Sequence, residues 1–205
     1  MLNKKYNAYL NATKRILARI RPTNLVYRFM QINDVEFVLI SLSSEAKNGH
    51  FTAAFLDDFE YEQFKKSLVL RANNKICPKL INGKVTALTN FYFIFENGKG
   101  EKVGFIELSE KQSGDFCRST LVFENVEIMS VVIAKEHRGK GYTKRLISAA
   151  LSELPTKKTV FARCLEPSVK MVRILEQLGF SCVKITPRGS KWMELKVRSD
   201  LIQDT

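Results

Sequence analysis

The stretch Glu127 to Leu154, EIMSVVIAKEHRGKGYTKRLISAALSEL, changes character twice, and its reading places the rest of the chain. Glu127 to Ile133 is dominated by apolar and β-branched residues, the composition of a strand covered on both faces. From Thr143 the apolar positions are Leu146, Ile147, Ala150, Leu151 and Leu154, the i, i+3, i+4 stripe of a helix that ends before Pro155. Between them lies Arg138-Gly139-Lys140-Gly141-Tyr142-Thr143, whose glycines permit approaches that a Cβ would block. A helix N-terminus offers unpaired N–H groups at a positive dipole end, so a pyrophosphate fits there, with Arg138, Lys140 and Lys144 adding charge. Taken alone, the same RGKG is also a basic surface turn. It has neither the GxxxxGK[ST] spacing of a triphosphate loop nor the Rossmann spacing.

Downstream, Thr159 to Cys164 reads as a strand, Pro167 suits a first helical turn, and Met171, Ile174, Leu175 and Leu178 form a core face closed by Gly179. Phe180 to Thr186 and Trp192 to Val197, around Pro187-Arg188-Gly189-Ser190, make a hairpin. Upstream, Phe91 to Glu96 and Val103 to Leu108 flank Asn97-Gly98-Lys99-Gly100-Glu101 as an antiparallel pair, and Glu110 to Arg118 reads as a loop. Asn73 to Asn90 shows no period; with turn signals at Cys77-Pro78 and Asn82-Gly83, it reads as irregular with a short strand near Val85. Leu25 to Ile32 reads as a strand, and Asp34 as the N-cap of a helix carrying Val35, Val38, Leu39, Leu42 and Ala46 to Asn48-Gly49. A second helix starts at Asp57 or Asp58, with Tyr61, Phe64 and Leu68 on one face.

Asn3 to Arg21 is an amphipathic basic helix, with Tyr6, Leu10 and Leu17 on its apolar side. A packed or partner-binding helix, an organelle-targeting presequence and a membrane-surface helix all fit this pattern. The 205 residues suit one domain, and no run approaches the roughly 18 apolar residues of a membrane span. A net charge of +12 favours anionic partners such as coenzyme A, nucleic acid, an acidic protein or a membrane surface, without choosing among them. Four cysteines without a C-x-x-C pair, and two histidines, point away from a metal site and toward a reduced, cytoplasmic protein.

Arg138, Gly141 and Thr143 occupy the three positions of Gln/Arg-x-x-Gly-x-Gly/Ala, and the segment resembles the principal motif of the GNAT superfamily, the acyl-CoA-dependent N-acetyltransferases. Thr143 departs from the usual Gly or Ala. A second stretch ending in LEQLGF resembles that family's Asn-x-x-Ala/Ser-x-x-Leu-Tyr-x-Lys-x-Gly-Phe, with Ser168 at Asn, Met171 at the small residue, Ile174 at Leu and Leu175 at Tyr. The resemblance implies an α/β GNAT fold, a mixed, largely antiparallel sheet flanked by helices. The implied organisation is an N-terminal helical extension over residues 1–24, the GNAT domain over 25–198 and a tail over 199–205.

It also implies transfer of an acyl group, in particular acetyl, from acetyl-CoA to a primary amine in a ternary complex, without a metal. The cofactor contacts it implies are Val131, Val132, Ile133, Arg138, Gly139, Lys140, Gly141, Tyr142, Thr143, Lys144 and Ser168, with a backbone N–H of Val131 to Ile133 facing the oxyanion. Attack requires a neutral amine, and Glu127 matches the Glu that serves as general base in histone-type acetyltransferases. Read without the resemblance, Glu127 is an exposed strand-end carboxylate or half of a salt bridge. Another branch places its base at the position of Arg163, which cannot accept a proton, and Leu175 cannot protonate the leaving thiolate. His50 lies between the helices that border the acceptor in this family and is the candidate acceptor contact, whereas His137 reads as a turn residue. Two rival readings remain: an acyl-CoA-binding regulatory protein without turnover, and a nucleic-acid binder, which lacks a recognised motif.

Overall fold

A computed structural model describes residues 25–74, 77–81, 84–88, 90–111, 125–152 and 159–195. The expected helix over 3–21, the turn Asn82-Gly83, residues 112–118 of the expected loop and the tail over 199–205 lie outside the described residues. The strands are β1 (Val26–Phe29), β2 (Cys77–Ile81), β3 (Lys84–Leu88), β4 (Asn90–Glu96), β5 (Lys102–Lys111), β6 (Asn125–Ile133), β7 (Thr159–Cys164), β8 (Ser181–Ile185) and β9 (Lys191–Leu195). The helices are α1 (Val35–Lys47), α2 (Asp58–Asn74), α3 (Tyr142–Ser152) and α4 (Val169–Gln177).

Seven strands form one sheet in the order β1-β4-β5-β6-β7-β9-β8, antiparallel except where β6 meets β7. That parallel pair is joined by a crossover through α3, as parallel strands require. Helices α1 and α2 bury Val38, Leu39, Leu42 and Leu68 on one face, against Ile94, Phe105 and Val132. Helices α3 and α4 bury Leu146, Ile147, Val172 and Leu175 on the other, against Ile106, Ile128, Ala162 and Met193.

Two local expectations are corrected. The short strand expected near Val85 is β3, but the rest of that segment is not irregular, since β2 pairs with β3 antiparallel outside the main sheet. Pro78 is tolerable there because a two-stranded ribbon has only edges. Asp34 does not cap α1 with its side chain; it is fully buried, paired with Arg28 at 2.5 Å and Lys102 at 2.8 Å, and accepts the Gln31 N–H at 2.8 Å. Burial pushes this carboxyl up, but hydrogen bonds from Arg28, Lys102 and the Gln31 amide outweigh it and hold the acid at about 2. The core face expected of α4 is present, with Leu175 buried and Met171, Ile174 and Leu178 packed partly buried against the same cluster; Val172 is a further buried position, and Met171 and Ile174 also line a cleft.

Gly104 on β5 marks a close approach, since a Cβ there would sit 2.3 Å from the Val132 carbonyl oxygen. One residue is inserted in the neighbouring strand. Glu107 pairs with Ser130 and Leu108 with Ile128, leaving Met129 bulged out and 45% exposed. The bulge re-aims β6, so that Ile128 faces α3 and α4 whereas Ser130 and Val132 face α1 and α2.

Candidate active site

Strands β6 and β7 pair from Asn125↔Thr159 to Ile128↔Ala162, yet β6 continues to Ile133 and β7 to Cys164. Beyond Ile128 and Ala162 they diverge and leave a cleft of about 750 Å³, walled by β6, β7, the glycine loop and α4. On this side the backbone of Met129 to Ile133 is released from β7, so its polar groups other than the Ile133 carbonyl, which accepts from Arg138, can face an extended ligand.

The mouth is built from backbone. Gly139 has φ 78° and Gly141 φ 73°, and nothing lies within 4 Å of a Cβ added at either. These glycines are required for the turn, and the space beside them is open. The first helical bond runs from the Arg145 N–H to the Gly141 carbonyl at 3.4 Å, which leaves the amides of Tyr142, Thr143 and Lys144 as anion donors.

Arg138 lines the cleft and is also engaged within the protein. Its Nε donates to the Ile133 carbonyl at 3.0 Å and its Nη2 pairs with Glu45 of α1, so it ties the loop to both strand and helix. Lys140 reaches the Glu136 carbonyl at 3.3 Å and does not line the cleft.

The end of α1 folds over the same mouth. The Gly49 N–H bonds to the Ala46 carbonyl at 2.9 Å and the His50 N–H to the Glu45 carbonyl at 3.0 Å, a Schellman closure that turns His50 back beside Glu45. His50 Nδ1 lies 3.3 Å from Ser168 Oγ at the start of α4. The structure thus brings His50, Val131, Val132, Ile133, Arg138, Gly139, Gly141, Tyr142, Thr143, Lys144 and Ser168 to one cleft. Glu127 is 7% exposed, level with Ser109 and Phe161 just inside the point of divergence, and is not part of the cleft lining.

Residues 45–180 match the model of the Acetyltransferase (GNAT) family. The chain belongs to this family. A comparison with curated protein sequences gives no match. Among solved structures, the GNAT chain is similar to spermidine N-acetyltransferase from Vibrio cholerae in complex with CoA and spermine, with a TM-score of 0.61 and 18% identity over 85% of this chain and 96% of that one. It is also similar to PaiA N-acetyltransferase from Thermoplasma acidophilum in complex with coenzyme A, with a TM-score of 0.60 and 15% identity over 84% and 98% of the two chains. A third likeness is to YncA, a putative acetyltransferase from Salmonella typhimurium with acetyl-CoA, at a TM-score of 0.59 and 18% identity over 89% and 99%.

The residues present in this GNAT domain suit an acyl-CoA: open space at two positive-φ glycines for pyrophosphate, and unpaired strand backbone for the amides of a pantetheine arm. From Ile133 to Met129 is four residue steps, about 13 Å, which an extended pantetheine chain spans. Leu175, 1% exposed, lines the cleft wall as an apolar group. Cys164 does so too, and burial pushes its thiol up to about 11, so it stays protonated at neutral pH. No described residues form a group of three or more metal-ligating side chains, and no described helix is long and apolar enough to cross a membrane.

A polar cluster that sequence reading missed lies behind the bulge. Ser130 Oγ donates to Glu107 Oε2 at 3.1 Å, while Glu107 Oε1 accepts from Arg71 at 3.2 Å and Asn90 at 3.0 Å. Arg71 also donates to the Tyr92 hydroxyl at 3.0 Å, and burial followed by the charge of Glu107 pushes that phenol well above its usual range. This network fixes Ser130, a cleft-lining residue, from the face of the sheet that carries α1 and α2. Its sequence signal was the lone acid in the apolar run Val103 to Leu108.

Proposed function

We propose that the protein transfers an acetyl group from acetyl-CoA to a primary amine by direct attack in a ternary complex. The observation that carries this reading is the divergence of β6 from β7, which runs from the glycine loop to a closed end beside Glu127. Pyrophosphate at the Tyr142 to Lys144 amides and pantetheine along β6 would set the thioester carbonyl near Met129 and Ser130. The amine nitrogen attacks that carbon, the N–C bond forms, the C–S bond breaks, and Glu127 accepts the proton released by nitrogen. The thiolate takes its proton from solvent, because Leu175 has none to give. The Vibrio cholerae enzyme, which holds both CoA and spermine, supports an amine as the acceptor class. The domain that performs this transfer runs over residues 25–198.

Calorimetric titration with acetyl-CoA tests the reading. Saturable binding is expected, and ligand at 100 times its dissociation constant adds about 2.7 kcal/mol of native-state stability. Gly141→Glu, which sets a strained side chain and a negative charge at the amides, should abolish binding. Absence of binding in the wild type, or full affinity in the variant, overturns it.

A further inference from the structure

The face of the sheet that carries α1 and α2 over β4 to β6 has no described helix over β7, β9 and β8. Directly opposed residues share a face, so the pairing registers assign this open surface in rungs. One rung runs Glu127, Phe161, Glu194 and the next runs Arg163, Trp192, Lys184. The buried alternation of Val160, Ala162 and Cys164 toward α3 and α4 puts Phe161 and Arg163 on this opposite face.

Arg163 immediately follows Ala162, the last residue of β7 paired with β6, and it lines the cleft. It is exposed, and among the described residues its side chain has no ion-pair or hydrogen-bond partner, in contrast to Arg138, held by Glu45, and Arg71, held by Glu107. A cation at the closed end of an acetyl-transfer cleft repels a second positive charge on the acceptor. The carboxylate rung beside it, about 7 Å away along the strand, suits the ammonium end of the same molecule.

We infer that the acceptor is an amino carboxylate, a primary amine with a carboxylate close to it such as an amino acid or a short acidic peptide, whose acid group pairs with Arg163 over the indole of Trp192. This rests on the transferase reading above and deepens it. The net charge of +12 acts in the same direction, drawing in anionic acceptors and discouraging polyamines.

The test measures CoA thiol release with amino acids and the dipeptides Gly-Asp and Gly-Glu, each against its amidated counterpart, and with spermidine. The free acids are expected to exceed both their amides and spermidine in kcat/KM. Arg163→Gln should shrink the acid-to-amide ratio about 10- to 100-fold, chiefly through KM. Arg163→Glu should reverse it in favour of spermidine, and because Arg163 is exposed both variants should fold. Amides or spermidine turned over as well as the acids by the wild type, or a ratio unchanged in Arg163→Gln, overturns the inference. Acetyl-CoA binding without turnover of any acid overturns it as well, whereas failure to bind acetyl-CoA overturns the transferase reading itself.

Discussion

The two halves of the sheet are built to different rules. Strands β4 to β6 carry α1 and α2 on one face and α3 on the other, and their central residues Ile94, Val103, Phe105 and Ile106 have no exposed surface. Among the described residues, strands β7 and β9 are backed by α4 on one face only, and every residue of β8 is exposed. The covered half supplies the rigid strand from which the cleft diverges. The open half supplies side chains that no packing requirement dictates. Substitutions in the first should therefore appear as lost stability, and in the second as altered chemistry, with Glu127 on the seam.

Glu127→Gln offers the largest expected effect. It keeps the side-chain shape but cannot accept a proton, so turnover should fall about 100- to 10,000-fold with acetyl-CoA affinity nearly unchanged. The loss should shrink at high pH, where more amine arrives neutral. Undiminished turnover at neutral pH would remove Glu127 from the mechanism.

In the covered half, Asp34→Asn leaves Arg28 and Lys102 facing a neutral group in a buried site. Denaturant unfolding should register a loss of about 3 kcal/mol. The pH dependence has a definite sign. The Asp34 carboxyl is held at about 2, against an ordinary value of 3.8. Its stabilisation, about 2 kcal/mol, is thus complete above pH 4 and disappears as pH falls through 2. The gap between wild type and variant should narrow by about 2 kcal/mol as pH falls from 7 to below 2, and a gap that does not narrow would refute this account of the pair.

Gly104→Ala drives a methyl against the Val132 carbonyl oxygen and should cost about 2 kcal/mol in the same unfolding measurement. An unaffected midpoint would show that β5 and β6 can separate without penalty. Smallest of all, Arg163→Gln on the open half should change stability by no more than about 0.5 kcal/mol. A larger loss would mean that the open half is packed after all.

Legibility in the sequence follows the same division. The mouth of the cleft could be read because its parts are contiguous: Val131 to Ile133, Gly139, Gly141 and the first turn of α3 occupy one short segment, and backbone geometry defines their role. The order of elements was equally plain, since each of the four described helices carries an apolar stripe and the long hairpin β4 to β5 turns at Asn97-Gly98. The Glu107 network was hidden because Arg71, Asn90 and Ser130 meet only after α2, β4, β5 and β6 have packed. Asp34 was misread for a similar reason: an acid before an apolar helix fits an N-cap, and nothing local reveals that Arg28 and Lys102 close on it. Arg163 was noted only as a group unable to act as a base, because its placement on the open face depends on the register of β7 with β9.

The short parallel seam between β6 and β7 has a consequence for hydrogen exchange. Among the described residues, backbone bonding between β6 and β7 ends at Ile128 and Ala162, and a polar contact at the mouth joins His50 to Ser168. Amides of β7, β9 and β8 can therefore exchange through an opening that leaves β4 and β5 intact, with a free-energy cost below that of global unfolding. A ligand lying in the cleft contacts both sides of the seam and closes that route. Protection gained on acetyl-CoA binding should be concentrated in β7 and β9, making the C-terminal strands the part of the molecule whose persistence depends on its own substrate.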